Sequence, residues 1–326
     1  MSDVTLRTIS AEERDAVLDL LAEWYNDRNF FARYLLHDPT FSPDLCFVAE
    51  EHGTLLSTFQ VFRKELRLDG TSLDVAGVGN VFTTAAARGR RIASRLLEYG
   101  LTQLPNHGFD VSLLFAVRLA FYARLGYQSH LRYLAFFAPG AVVELSGRYL
   151  IRAYEDADLS AVGEIYDLYS GRLRGTTIRS PAYWKGQLRY AGNPDERFLV
   201  ALDANRVVAY ARATELWDFW VVMEYGYAPG HLEALVELLL RHFAEGTQKH
   251  PGMLVQLAHE PKALEALKAR GLIDRQIEDV FWMWRVVSPE RLASKLGVPV
   301  GAVESPNLWR DLLPPESSVY WISDRF

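Results

Sequence analysis

The stretch VGNVFTTAAARGRRIASRLLEYG, residues 78–100, decides how the first half of the chain folds. Its first six residues predict a β-strand, the run RGRR predicts a short loop, and the apolar periodicity that follows predicts an amphipathic helix. In a strand–loop–helix unit, the loop N–H groups, the helix dipole and the arginines attract the same anion. The sequence therefore predicts a pyrophosphate-binding loop, although arginine-rich helix starts also occur as solvated surface.

The loop resembles motif A of the GNAT superfamily of N-acetyltransferases, whose pattern RxxGxG or RxxGxA binds the pyrophosphate of acetyl-CoA. Arg88 and Ala93 occupy the first and last positions of that pattern, but Arg91 replaces the central glycine. A side chain thus stands where backbone usually approaches the phosphate, so either the loop tolerates a Cβ or the affinity for CoA is reduced. The resemblance implies that CoA contacts the whole loop: Arg88, Gly89, Arg90, Arg91, Ile92, Ala93 and Ser94.

A second segment, LAFYARLGY at residues 119–127, resembles the FYxxxGF/Y motif that ends the CoA site in the same superfamily. In that motif the glycine ends a short helix as a left-handed cap. The resemblance implies that Tyr122 is the general acid that protonates the departing CoA sulfur, and a buried core tyrosine is the alternative. It also implies contacts with CoA from Val117 and Arg118, and from the backbone of Val81, Phe82 and Thr83 on a strand that splays from its neighbour.

Composition and charge limit the class of protein. The chain has 326 residues, 49% of them hydrophobic, so we expect two globular domains. A net charge of -6 argues against binding to nucleic acid and mildly favours cationic ligands such as amines. With no membrane-length apolar run, no signal-peptide pattern and one cysteine, the sequence predicts a cytoplasmic protein without a membrane partner.

The second half of the chain opens as the first half does. A strand at Leu6 and the helix after it are echoed 145 residues later, from Ile151 onward. The same offset carries Arg88 onto Glu233, inside a strongly helical segment, so the second copy lacks the phosphate loop. The echo predicts two copies of one fold, although helix-start signals are common enough to produce such an echo by themselves.

We therefore expect a mixed α/β fold with two tandem GNAT-like domains and a short tail. Residues 1–140 would form the catalytic domain with the acetyl-CoA site, residues 141–287 a degenerate copy with a structural role, and residues 288–326 a tail that docks toward the active site. This organisation resembles the enhanced-intracellular-survival (Eis) acetyltransferases. Members of that family also contain a sterol-carrier-like domain, for which this chain is too short.

In the Eis acetyltransferases the carboxylate of the last residue enters the active site of the first domain. The resemblance implies that Phe326 supplies the general base through its carboxylate, directly or through a water molecule. An ordinary α-carboxyl is a weak base for an ammonium group, so burial or a water relay would have to assist it. A hydrophobic plug is the alternative role for Phe326.

The acceptor amine is expected near the first helices, where aromatic side chains and a carboxylate suit a cationic amine. A packed helical hairpin explains the same residues, which are Trp24, Asp27, Phe30 and Phe31. The histidines lack the spacing of metal ligands, and Cys46 lies in a strand-like segment as a core thiol, so we expect no metal.

The sequence thus predicts an acetyl-CoA-dependent N-acetyltransferase. It would act by direct attack in a ternary complex on a primary amine of a small molecule or peptide, such as an aminoglycoside, a polyamine or lysine. A mycothiol-synthase-like acetyltransferase with one dedicated metabolite stays open, as does a non-catalytic acyl-CoA-binding sensor or scaffold. The sequence is also compatible with a homo-oligomer.

Overall fold

The computed structural model describes residues 4–25, 28–140, 144–190 and 196–326. The strands in this part of the chain are β1 (Thr5–Thr8), β2 (Cys46–Glu51), β3 (Thr54–Leu68), β4 (Thr71–Thr83), β5 (Val111–Phe115), β6 (Gln128–Ser129), β7 (Arg132–Phe137), β8 (Leu150–Ala153), β9 (Arg197–Asp203), β10 (Arg206–Leu216), β11 (Phe219–Tyr227), β12 (Met253–Val255), β13 (Asp274–Asp279) and β14 (Trp282–Val286). The helices are α1 (Arg14–Tyr25), α2 (Arg28–His37), α3 (Ile92–Gln103), α4 (Leu119–Ala123), α5 (Leu159–Ser170), α6 (Pro181–Tyr190), α7 (Leu232–Gly246), α8 (Pro261–Ala269), α9 (Pro289–Leu296) and α10 (Leu308–Leu312).

The strands form two mixed sheets of seven strands each. The first sheet has the order β1–β2–β3–β4–β5–β14–β6, and the second has the order β13–β7–β12–β11–β10–β9–β8. Each sheet contains one parallel pair, β4 with β5 and β11 with β12, among antiparallel neighbours. The two sheets therefore share one layout, and the predicted mixed α/β fold with two tandem domains is confirmed.

The two halves of the chain exchange one strand each. β14, from the second half, pairs with both β5 and β6 in the first sheet. β7, from the first half, pairs with both β12 and β13 in the second sheet. Each sheet is thus completed by the other half of the chain. The sequence did not reveal this exchange, and the division of function at residue 140 stays a prediction.

The predicted internal repeat extends to individual contacts. Glu13 accepts a hydrogen bond from the N–H of Ser10 at 2.8 Å. At the corresponding place in the second half, Asp158 accepts one from the N–H of Glu155 at 2.9 Å. Each carboxylate also pairs with an arginine of the preceding strand, Arg7 and Arg152, at 2.6 Å. Because an ion pair is not part of ordinary helix-start chemistry, these matched contacts support two copies of one fold.

The first sheet is covered on both faces. Since successive strand residues point to opposite faces, Ala76 and Val78 of β4 pack with Leu97 of α3. Val75 points the other way and packs with Trp284 and the C-terminal segment. Helices α1 and α2 cover that second face at the β2 end of the sheet. The long strand β4 therefore separates an α3 face from a face shared by α1, α2 and the end of the chain.

Among the described residues, no helix combines the length and the apolar character needed to cross a membrane.

We predict that residues 1–140 expressed alone do not form a stable monomer. Without β14, the backbone groups of β5 and β6 lose the strand that pairs with both, and β7 is left without its sheet. Circular dichroism during a urea titration should show no cooperative transition. Co-expression with residues 141–326 should restore a folded complex, and a cooperative transition of the first fragment alone would contradict this account.

Candidate active site

The loop after β4 has the geometry of an anion-binding site. A 3₁₀ turn at Ala85–Ala87 follows the strand, and α3 begins at Ile92. Between them Gly89 and Arg91 have φ angles of 78° and 60°. Left-handed residues in a turn expose successive N–H groups to one concave side, where they bind anions. The strand, loop and helix expected from residues 78–100 are thus all present.

The N–H groups of this loop are available to a ligand. In the described part of the chain, those of Gly89 and Arg91 have no hydrogen-bond acceptor. The first bond across the turn into α3 runs from Arg95 N–H to the Arg91 carbonyl at 3.1 Å. The N–H groups of Ile92, Ala93 and Ser94 precede it, and the first N–H groups of a helix have no partner within that helix.

The three arginines of the loop differ in their contacts. Arg91 is exposed, and its left-handed backbone explains why the related pattern has glycine there, since a Cβ in this conformation costs about 1–2 kcal/mol. Arg90 forms a two-bond ion pair with Glu51, at 2.6 and 3.0 Å. Arg88 donates to the Thr83 carbonyl at 3.4 Å. The loop therefore accommodates a Cβ at position 91 with backbone strain.

Next to the loop, β4 and β5 separate. Their pairing covers only residues 75–78 of β4 and 111–114 of β5. Just beyond it Asn80 has a φ of 51°, and the register between β4 and β3 shifts there. The Asn80 side-chain amide donates to Gln60 Oε1 at 3.0 Å, which fixes the bulge. Phe82 and Thr83 keep their partners on β3, which are Thr58 and Ser57, while the β5 side of this segment faces the opening.

Tyr122 lies on the short helix that follows β5 and packs on the α3 face of the first sheet. Val117 and Arg118 follow the end of β5 and are exposed, and α4 comes next. Gly126, with a φ of 83°, ends this helix, because Tyr127 N–H donates to the Tyr122 carbonyl at 3.2 Å and Gly126 N–H to the Ala123 carbonyl at 3.0 Å. The predicted glycine cap is confirmed.

The Tyr122 hydroxyl is partly buried in its surroundings and has no hydrogen-bond partner among the described residues. Burial raises the pKa of Tyr122 to about 12, against the opposing charge of Arg118. Its ring is held edge-on by Phe121 and Tyr127, with centroids 4.9 and 6.1 Å away. A tyrosine with this pKa stays protonated at neutral pH, so it can give a proton but not take one.

Phe326 lies on two glycines of β4. A Cβ added at Gly77 would come within 2.5 Å of the Phe326 ring, and one added at Gly79 would lie 3.1 Å from its carboxyl carbon. Phe62 stacks on the Phe326 ring with centroids 5.5 Å apart. Because glycine in a strand often marks the close approach of another group, these two glycines make room for Phe326 at the point where β4 leaves β5.

Comparisons with known proteins agree with this geometry. Residues 5–129 match the family model of the acetyltransferase (GNAT) domain. The first domain is a GNAT acetyltransferase domain. No curated protein matches the chain in sequence.

Three solved structures share the fold of nearly the whole chain. A conserved protein from Enterococcus faecalis V583, described as a probable N-acyltransferase, has 14% identity and a TM-score of 0.67, over 90% of this chain and 75% of that one. Eis1 from Mycobacterium abscessus has 16% identity and a TM-score of 0.54, over 87% and 74%. Saccharomyces cerevisiae N-myristoyltransferase with bound myristoyl-CoA has 13% identity and a TM-score of 0.55, over 87% and 83%. At these identities the likeness shows the fold alone, which is a tandem GNAT fold.

A fully buried ion network holds the segment that carries Phe326 to the second domain. Arg179 donates to both oxygens of Asp324 at 3.0 and 2.8 Å, and to both oxygens of Glu224 at 3.0 and 2.6 Å. All three side chains have 0% exposure. Burial alone would raise the pKa of Glu224, but Arg179 and Arg212 outweigh it and lower the pKa to about 2. Glu224 is therefore ionised at neutral pH.

The same network reaches the GNAT domain itself. Lys64 of β3 donates to the Tyr183 hydroxyl at 2.6 Å, and Tyr183 donates to Asp324 at 3.0 Å. Burial lowers the pKa of Lys64, while the charges of Asp38 and Asp324 oppose that effect. These contacts fix Asp324, two residues before Phe326, against both domains.

The residues expected at the amine entrance lie on the same face as Phe326. The Trp24 ring contacts the rings of both Phe82 and Phe31. From Phe31 the ring contacts continue through Phe30, Tyr34 and Phe62 to Phe326, and all these centroid separations are 5.1 to 6.3 Å. Phe31 is buried in the core, whereas Trp24 is 48% exposed. Asp27 lies outside the described residues.

Other residues singled out in the sequence lie away from this face. Cys46 is buried in β2, where burial raises the pKa of its thiol to about 12, so the expected core thiol is confirmed. In the described residues no group of three His, Cys, Asp or Glu side chains is arranged to hold a metal ion.

Sequence reasoning missed the glycine pair and the ion network. The run Gly77-Val78-Gly79 inside a strand was an available signal, because glycine weakens a strand unless something approaches it closely. Arg179, Glu224 and Asp324 gave no signal, since they are distant in sequence and belong to no motif.

We predict that Arg91→Gly is more stable than Arg91→Ala by about 0.5–1 kcal/mol. Both variants lose the guanidinium, but only glycine adopts the left-handed backbone without strain. Part of this gain in stability is lost again, because glycine also increases the conformational freedom of the unfolded chain. Urea unfolding of the two variants measures the difference. The control pair Arg95→Gly and Arg95→Ala, inside α3, should show the opposite order. Equal stabilities at position 91 would refute the strained geometry.

Proposed function

We propose that the protein transfers an acetyl group from acetyl-CoA to a primary amine of a small molecule or peptide. The amine would attack the thioester directly in a ternary complex. One observation carries the proposal: the domain that matches the GNAT model contains the anion loop, the β4–β5 opening and the unpartnered Tyr122 hydroxyl, and Phe326 packs on β4 of the same domain. Each is a part that acyl transfer to an amine requires.

The residues present fit acetyl-CoA as the acyl donor. The unpaired N–H groups at the start of α3 would bind its pyrophosphate, with Arg88 and Arg91 adding charge-assisted hydrogen bonds. The residues assigned to the pyrophosphate are Arg88, Gly89, Arg90, Arg91, Ile92, Ala93 and Ser94. Val81, Phe82 and Thr83 would bond the pantetheine amides with their backbone, and Val117 and Arg118 would line the other wall.

Tyr122 would act as the general acid. A thiolate leaving group departs more easily when it receives a proton, and a phenol held protonated by burial can supply one. Backbone N–H groups beside the Asn80 bulge that face away from β3 would stabilise the negative charge that develops on the thioester oxygen, because pairing with β3 fixes the strand that carries them before the reaction begins.

Phe326 would supply the base. The resemblance to the Eis acetyltransferases assigns this role to a terminal carboxylate, and we propose that Phe326 carries it. In the structure its carboxyl carbon lies over Gly79, at the narrow end of the opening. The carboxylate would take a proton from the attacking amine, directly or through one water molecule.

A thiol-release assay tests the proposed function. Acetyl-CoA and a panel of amines, including an aminoglycoside, a polyamine and lysine, are incubated with the protein, and free CoA thiol is measured. Turnover with one or more amines supports the proposal, and turnover with a single dedicated metabolite would favour the mycothiol-synthase-like alternative. Binding of acetyl-CoA by calorimetry without turnover on any amine would favour the sensor or scaffold.

We predict that Tyr122→Phe lowers turnover roughly 10- to 1,000-fold and leaves acetyl-CoA binding intact, because one proton donor is lost and no group that binds CoA changes. The thiol-release rate gives the first quantity and calorimetry with acetyl-CoA the second. Tyr127→Phe is the matched control, because its hydroxyl is buried against Ser112 at 2.6 Å. Wild-type turnover by Tyr122→Phe would remove Tyr122 from the mechanism.

We predict that Gly77→Ala lowers turnover at least 10-fold while the protein stays folded. The new methyl group would overlap the Phe326 ring, which must shift away from the opening, and such overpacking costs about 1–3 kcal/mol. Gly301→Ala is the control, because no atom lies within 4 Å of a Cβ built there. If Gly77→Ala and Gly301→Ala turn over equally, the position of Phe326 is irrelevant to catalysis.

A further inference from the structure

A second group of aromatic residues borders the opening on its β5 side. Phe115 is the last residue of β5 and lies just beyond the last β4–β5 pair. Trp217 stacks on it with centroids 5.5 Å apart and planes 18° apart, and Phe281 lies 5.8 Å from it. We call Phe115, Trp217 and Phe281 the aromatic wall. Phe115 and Phe326 pack on the same cluster, so the wall and Phe326 share one face of the first sheet.

Trp217 comes from the second domain and has an unusual backbone. It forms the two-residue turn of the β10–β11 hairpin with Asp218, and their φ angles are 53° and 68°. Turns of this type favour Asn-Gly, and a bulky aromatic residue in the left-handed region is a genuine outlier. Strain of this kind persists where a side chain has a task. Here the task is to place a half-exposed indole over a residue of the other domain.

The aromatic wall holds the guanidinium of Arg325. Its central carbon is 5.6 Å from the ring centroids of both Phe115 and Trp217. Arg325 is half-buried, yet no carboxylate side chain of the described residues lies within ion-pair distance of it. By contrast, the buried Arg179 and Arg212 each pair with carboxylates. Arg325 is thus a fixed cation beside the opening whose two-pronged hydrogen-bonding edge is unused.

We propose that Arg325 anchors a carboxylate of the acceptor, so that the acceptor is an amine which also carries a carboxylate, such as an amino acid or a short peptide. This inference rests on the proposed function, because it takes the opening beside Phe326 as the place where the amine reacts. Guanidinium and carboxylate match in shape and form two parallel hydrogen bonds.

The position of Arg325 sets the size of the acceptor. Arg325 and Phe326 are consecutive, so their Cα atoms are about 3.8 Å apart. The amine at Phe326 and the carboxylate at Arg325 would therefore belong to one small molecule or to one end of a peptide. The cation would also favour the neutral form of a nearby amine, which is the form that attacks the thioester.

The test compares acceptors that differ only in the carboxylate: lysine with cadaverine and lysine amide, and phenylalanine with phenethylamine. In the wild type, kcat/KM from thiol release should be about 10- to 100-fold higher for the carboxylate-bearing member of each pair, the range expected for hydrogen bonds to a charged group. In Arg325→Gln this ratio should fall to near one, mainly through KM. Arg325→Lys should keep part of this ratio, since the positive charge remains but the two parallel N–H donors of the guanidinium are lost.

Arg310→Gln is the matched control, because Arg310 is an exposed arginine of the same segment outside the aromatic wall and should leave the ratio unchanged. Trp217→Ala should reduce the ratio, because the guanidinium loses its support. A ratio that is the same in wild type and Arg325→Gln overturns the proposal. So does an equal loss on both members of each pair, which would mark a structural role, or a preference for phosphoethanolamine over the carboxylates.

A binding measurement separates this proposal from the proposed function. If no amine supports thiol release, the acetyltransferase assignment is wrong. Thermal unfolding in the presence of CoA then tests whether Arg325 binds a carboxylate. Stabilisation of the wild type, but not of Arg325→Gln, by N-acetyl-lysine or N-acetyl-phenylalanine supports a carboxylate site at Arg325. Equal stabilisation of both proteins, or of neither, overturns it.

Discussion

The position of Phe326 depends on one buried cation. Arg179 lies between the carboxylates of Asp324 and Glu224, with no exposure to water. Taking charges out of water costs several kcal/mol per ion, and only close pairing with good geometry offsets that penalty. Each oxygen of both carboxylates receives a hydrogen bond from Arg179. A network of this kind has one low-energy arrangement, so the end of the chain has one place to lie.

The network also shows how the two copies of one fold have diverged. An offset of 145 residues carries Gly79 of β4 onto Glu224 of β11. Both strands leave their parallel neighbour at this level, since the pairing of β11 with β12 ends at Val222. In the first copy the glycine leaves space for Phe326. In the second copy the glutamate fills the equivalent space and binds Arg179. The second domain therefore uses its split strands for structure, and together with the exchanged strands it fixes the first.

The sequence predicted what is encoded locally. The loop of motif A, the glycine cap at Gly126 and the internal repeat follow from sequence patterns, and the structure has each of them. It could not predict the exchange of β7 and β14, because a short apolar strand carries no mark of its partner. Nor could it place Trp217 over Phe115, which are 102 residues apart in sequence. Contacts of that kind depend on the completed fold.

Backbone strain separates the site from the rest of the chain. Among the described residues, seven other than glycine have positive φ angles, and five of these form hairpin turns: His52, Ala204, Asn205, Trp217 and Asp218. The other two, Asn80 and Arg91, lie at the β4 bulge and in the anion loop. Left-handed residues of this kind persist only where the surroundings over-determine them. At the bulge, Gln60 of β3 supplies such support, because it accepts a hydrogen bond from the Asn80 side-chain amide at 3.0 Å and so ties the left-handed residue to the neighbouring strand.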